Sequence, residues 1–192
     1  MAFTLEESYE PGNTSAGSVL PSTVGPFSFT KRAQVFTAGS SYTLARVALR
    51  LGASVQPKDC IVAVYSTSGG APLSLLTSAT MTIDGADTWK YVEFGSPVNI
   101  NSGTQYAIVS EAPVSGTTNS QFNTAGVPAG YPSGGPYFYD SNGSSWVAGT
   151  TYLDHPFRTY SVLTVPGKAV NPTPADTDTG IILLPTLSWE AG

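Results

Sequence analysis

The chain reads as an all-β protein: an antiparallel two-sheet β-sandwich of jelly-roll type, with an extended N-terminal arm and a C-terminal linker and tail. Three observations predict this. Short apolar runs alternate with period two, the spacing of side chains along a pleated strand. Gly, Pro, Asn and Asp clusters separate these runs at short intervals. No stretch keeps a helical period without interruption by Gly, Pro or β-branched residues.

Residues 1–29 are polar and turn-rich, with Pro11-Gly12-Asn13 and Gly25-Pro26, and read as an arm or one edge strand with loops. The sandwich is expected over 30–165. Its clearest strand is Leu44 to Leu51, where Val47, Leu49 and Leu51 share one face and Arg46, Ala48 and Arg50 the other. Cys60 to Thr67 is apolar on both parities, as a strand covered on both faces would be. Thr67 to Pro72 then breaks it. Further strands are expected at Ser78–Ile83, Trp89–Phe94, Gln105–Ser110, Pro136–Asp140, Ser145–Ala148 and Phe157–Val165. Asn142-Gly143 between two of these suits a tight hairpin, because both residues tolerate positive φ. Trp89 and Phe94 have opposite parity, which predicts a bulge between them or one ring tucked under a loop. Residues 166–192 are expected to be a Pro-rich linker and a C-terminal tail.

Composition narrows the function. Hydrophobic residues make up 41% of the 192 and charged residues 11%, which suits a packed core better than a disordered chain. A net charge of −5 with eight Lys and Arg lacks the basic footprint of a nucleic-acid binder. No apolar run is long enough to span a bilayer, so no membrane role is expected. The first residues carry no basic, apolar leader. Ser, Thr, Gly and Tyr richness then suggests a virion-surface or extracellular protein.

Catalytic signals are sparse. His155 is the single histidine and precedes a proline, and no Gly-x-Ser-x-Gly elbow or phosphate-cradling Gly-Lys-Ser/Thr occurs. Cys60 is alone, which excludes an internal disulfide, and it reads as a small buried hydrophobe. Glu93 shares its parity with Trp89 and Tyr91, which reads as a solvated strand face rather than half of a glycosidase pair. Asp84/Asp87 and Asp176/Asp178 are too few for a dedicated calcium cage, although structural calcium stays open. No enzyme activity and no cofactor are expected.

One segment could bind a ligand. Tyr131, Tyr137, Tyr139, Asn142 and Trp146 combine aromatic faces with polar tips, a combination suited to stacking on sugar rings and binding their hydroxyls. The competing reading is that these aromatics are cross-strand packing pairs, and it carries the greater weight.

The pattern Gln34-x-Phe36-Thr37, Leu44-x2-Val47-x-Leu49-x-Leu51, Val62-x-Val64-Tyr65, Pro72, Trp89-x4-Phe94-x2-Pro97-Val98 and Gly103-Thr104-x-Tyr106-Ala107-Ile108-Val109 resembles the β-sandwich modules of tailed-phage structural proteins and of secreted multidomain bacterial proteins. The resemblance covers about residues 30 to 162 and is carried by core and turn positions. Such modules are similar in outline to carbohydrate-binding and galactose-binding-like domains. Leu5-Glu6-Glu7-Ser8-Tyr9 looks like the start of phage members, and Pro174-Ala175-Asp176 to Leu187-Ser188-Trp189 resembles the opening of a bacterial Ig-like or fibronectin-III-like domain. The resemblance implies a non-catalytic decoration, fibre or tail-associated protein whose partners are other virion or surface proteins and further copies of itself, through exchange of the arm. The alternative it implies is a carbohydrate-binding or adhesive module of a secreted protein, with a glycan as partner.

Overall fold

The structure, a computed structural model, describes residues 2–10, 19–20, 22–24, 27–52, 58–84, 88–111, 122–124, 136–140, 144–148, 154–163, 170–173 and 188–190. Eight strands build the body: β1 (Phe3–Tyr9), β4 (Phe27–Thr37), β5 (Tyr42–Gly52), β6 (Lys58–Ser68), β7 (Ala71–Ile83), β8 (Thr88–Ile100), β9 (Gln105–Glu111) and β13 (Phe157–Val162). Shorter strands are β2 (Val19–Leu20), β3 (Ser22–Val24), β10 (Phe122–Thr124), β11 (Pro136–Asp140) and β12 (Ser145–Ala148).

The first sheet runs β1-β13-β5 with β8 on the other side of β5, and the second contains β4-β9-β6-β7. Every pairing is antiparallel. The first strand thus lies beside the last, and successive strands of the eight change sheets except β6 and β7, which stay together in the second, as in a jelly roll. The β11–β12 hairpin joins the free side of β4. Met1–Val162 forms one compact unit. Phe3–Tyr9, within the segment expected as an arm, is therefore an edge strand of the sandwich. A second unit, Leu163–Gly192, contains an antiparallel pair of β14 (Val170–Thr173) and β15 (Ser188–Glu190).

The alternation read from the sequence is the alternation that closes the core. Val47, Leu49 and Leu51 of β5 face Phe36 of β4, Ile108 of β9 and Val62 and Val64 of β6 in one buried cluster. Phe36 and Phe157 meet across the sheets with ring centroids 5.4 Å apart. Burying each such ring contributes about 2 kcal/mol. Cys60 belongs to this cluster at 0% exposure, and burial raises its thiol pKa well above the ordinary value.

Two local features differ from the sequence reading. Residues 67–72 do not end the strand region; Gly69 and Gly70, with φ of 57° and 86°, make a two-residue hairpin between β6 and β7. Positive φ at both central positions matches strand twist and costs glycine no Cβ clash. β7 therefore starts at Ala71, and Pro72 is tolerated because β7 is an edge strand. Trp89 and Phe94 need neither a bulge between them nor a loop. Pairing from Thr88 to Glu93 is unbroken, Phe94 enters the core, and Trp89 lies on the outer face. The irregularity comes after Glu93, where Phe94 to Pro97 stand opposite Ala45 before Val98 pairs again with β5.

Candidate functional site

Of the aromatic segment singled out by sequence, Tyr131 and Asn142 lie outside the described residues. Tyr137 pairs in register with Ala148 and Ala33, and Tyr139 with Trp146 and Lys31. Trp146 is partly buried and meets the Tyr65 ring edge-on at 6.4 Å. Both rings pack on a second apolar cluster of Ala33, Val35, Ala63, Ala107 and Val109, on the face of the second sheet away from the main core. Three alanines keep that face low, so the hairpin side chain can settle on it.

A buried polar group occupies one end of the main core. Arg32 and Gln34 of β4 share the parity of Phe36, so they point between the sheets, where they meet Ser110, Asp154 and His155. The Gln34 side-chain amide donates to Asp154 Oδ1 at 3.3 Å, and its oxygen accepts the His155 backbone N–H at 2.7 Å. Arg32 is 1% exposed. Burial pulls its guanidinium down to about 9, and the Asp154 charge works against that shift. It stays protonated at neutral pH. The cavity beside it, lined by Arg32, Gln34, Ser110 and His155 with Leu49, Leu51 and Ile108, has a volume of about 10 Å³. That is room for one water and for no substrate.

The outer face of the first sheet carries a different arrangement. On β5, Ala48 lies between Arg158 of β13 and Tyr91 of β8 in the ladder. Its small side chain lets Arg158 reach across: Nη1 donates to Tyr91 Oη at 3.0 Å, and the guanidinium covers the Trp89 ring at 4.1 Å. Ala48 is fully covered as a result. Arg158 also forks onto Glu10, Nε donating at 2.6 Å and Nη2 at 2.5 Å. This fork raises the pKa of Arg158 and lowers that of Glu10. One row on, Arg46 pairs with Glu93 and lies 3.6 Å over the Phe3 ring. Tyr91 and Tyr160 stand 6.1 Å apart, and the phenol of Tyr160 is raised, first by burial and then by Tyr91. Both stripes, Arg46/Ala48/Arg50 and Trp89/Tyr91/Glu93, are visible in the sequence by parity, but their adjacency is not. The complementary spacing of Arg-x-Ala-x-Arg and Trp-x-Tyr-x-Glu is the signal that could have joined them.

The third feature is apolar and exposed. β7 carries an extra residue at each of two register shifts, between Thr77 and Leu75 and between Leu75 and Pro72. There Leu73, Leu75 and Leu76 are 63%, 54% and 39% exposed. Among the described residues β7 pairs only with β6, so these leucines lie on a sheet edge. Bulges re-aim side chains, and here they turn three leucines outward.

Compared with protein-family models and with curated proteins, the chain matches none.

Proposed function

We propose that the chain is a non-catalytic structural and binding module of a phage-like virion, a decoration, fibre or tail-associated protein that works through protein–protein contacts at the virion surface. The observation that carries this reading is the leucine knuckle of β7. An edge strand with three outward leucines is a liability in a free monomer and an asset in an assembly, where a partner covers it. A jelly roll suits the role, since its two sheets hold such an edge rigid. The interior polar group supports it too, because its cavity is the size of one water.

The test is mass spectrometry of purified particles, with wild type beside the double variant Leu73→Ser, Leu75→Ser. Wild type is expected at fixed stoichiometry. The variant is expected to be lost from particles while its stability changes by under about 0.5 kcal/mol, as for exposed positions. Particles without the wild-type chain would sink the reading.

A second reading is a carbohydrate-binding or adhesive module of a secreted bacterial protein. It is favoured by the register that sets Tyr139 opposite Trp146. Glycan-array binding lost on Tyr139→Ala would support it, and an array with no bound glycan would remove it.

A further inference from the structure

We propose that β1 is an exchangeable strand: the edge of β13 that holds Phe3–Tyr9 accepts the same stretch from a second copy of the chain. This deepens the assembly reading by naming a partner and a site, and it stands on the geometry of β1 alone.

No β1 side chain is buried, and only Tyr9 packs against the main core, from its margin. Releasing the strand therefore opens no large cavity. Its partner strand is the last of the eight, and the contacts between them join residues about 150 positions apart, such as Glu7 N–H with Thr159 Oγ1. β1 thus awaits a partner until the rest of the domain exists, and β13 of a neighbouring chain is equally complementary. Residues 10–18 join β1 to β2. Nine residues reach at most about 30 Å, enough to pass a strand to an adjacent copy.

What holds β1 is a set of specific contacts. Glutamate is disfavoured in strands, yet Glu6, Glu7 and Glu10 lie in or just beyond this one, and each has a seat. Ser161 Oγ donates to Glu6. Gly39 N–H donates to Glu7 Oε1 at 2.5 Å, and a Cβ at Gly39 would lie 3.1 Å from that oxygen, so glycine keeps the seat open. Arg158 forks onto Glu10, and Arg46 covers Phe3. Every seat lies outside β1. The receptor is complete without the strand and reads Phe-x-x-Glu-Glu-x-x-Glu from whichever copy supplies it. The Arg158–Glu10 contact joins two partly exposed charges, which salt screens.

The test uses full-length chains. Thr4 and Ser161 are register partners, at the Cα separation a disulfide accepts. Differently tagged Thr4→Cys and Ser161→Cys chains are mixed and oxidised, alongside the double variant at low concentration. The double variant is expected to close within one chain. The mixture is expected to yield a linked pair carrying both tags, in excess over the Thr4→Cys self-pair and rising several-fold with salt or with Glu10→Gln. A mixed pair no more abundant than the collisional self-pair under every condition overturns the proposal, as does a double variant that fails to close. Exchange is read in purified protein, so failure of the particle experiment leaves this result standing, and the converse holds.

Discussion

Arg32 and Arg158 are the same residue type placed in two kinds of surroundings, and they answer in opposite directions. Arg158 lies on the outer sheet face, forked onto Glu10 and stacked on Trp89, and its pKa is raised. Arg32 lies between the sheets near Asp154, and burial drags it down to about 9. The difference teaches that the solvent that remains decides which effect wins: at Arg158 the Glu10 fork outweighs desolvation, and at Arg32 desolvation outweighs the Asp154 charge. Outside, water shares the charge, and each contact is individually weak. Inside, desolvation is already incurred, and the carboxylate is what makes the buried cation tolerable.

The largest expected effect breaks the comparison on its buried side. Asp154→Ala removes the carboxylate that faces buried Arg32 and should cost about 3 kcal/mol in urea unfolding. A loss under about 1 kcal/mol would mean that water reaches the guanidinium. On the outer side, Arg158→Ala removes a cation–π contact and a surface fork and should cost about 1 kcal/mol. A double-mutant cycle with Glu10→Gln should give a coupling below that figure, shrinking in 1 M salt, while the Asp154→Ala penalty persists.

A smaller effect is a pH dependence confined to β1. The carboxyl of Glu10 is held below its ordinary 4.5 by the Arg158 hydrogen bond. Its contribution is therefore fully present above the ordinary carboxylate pKa and is lost as pH falls through the lowered folded value. Amide exchange in β1 should accelerate over that acid window before exchange in β5 or β6 does. Simultaneous acceleration everywhere would show that β1 does not open separately. The smallest expected effect is none: Cys60, at 0% exposure in β6, should stay unreactive to a thiol reagent in Glu10→Gln at neutral pH and react only on global unfolding.

Much of this architecture was legible because strand periodicity is a local property. The shared parity of Val47, Leu49 and Leu51 marks side chains of β5 that enter the core, and the apolar run from Cys60 marks a covered strand. The hairpin bounds Pro136–Asp140 and Ser145–Ala148 were reached to the residue. Register was not legible. Nothing local says that β1 pairs with β13, or that β5 lies between β13 and β8 so that Arg46, Arg158, Trp89 and Tyr91 interlock. The β7 knuckle was missed because two bulges shift parity, and a period-two pattern presumes an unbroken pleat. Arg32 was missed because a charged residue on a core face contradicts binary patterning, and only a partner distant in sequence makes it tolerable.

By itself, then, the sequence determined the class of this protein: short alternating strands, glycine and proline turns, and an apolar face on each sheet sufficient to fuse two layers. Those are consequences of backbone sterics and burial, which act within a few residues. The tertiary structure alone decided which strands became neighbours, which arginine was solvated and which enclosed, and which leucines remained outside. These outcomes depend on contacts between residues such as Glu6 and Ser161, 155 positions apart, and water exclusion, which sets the strength of each charge, exists only after the sheets have closed.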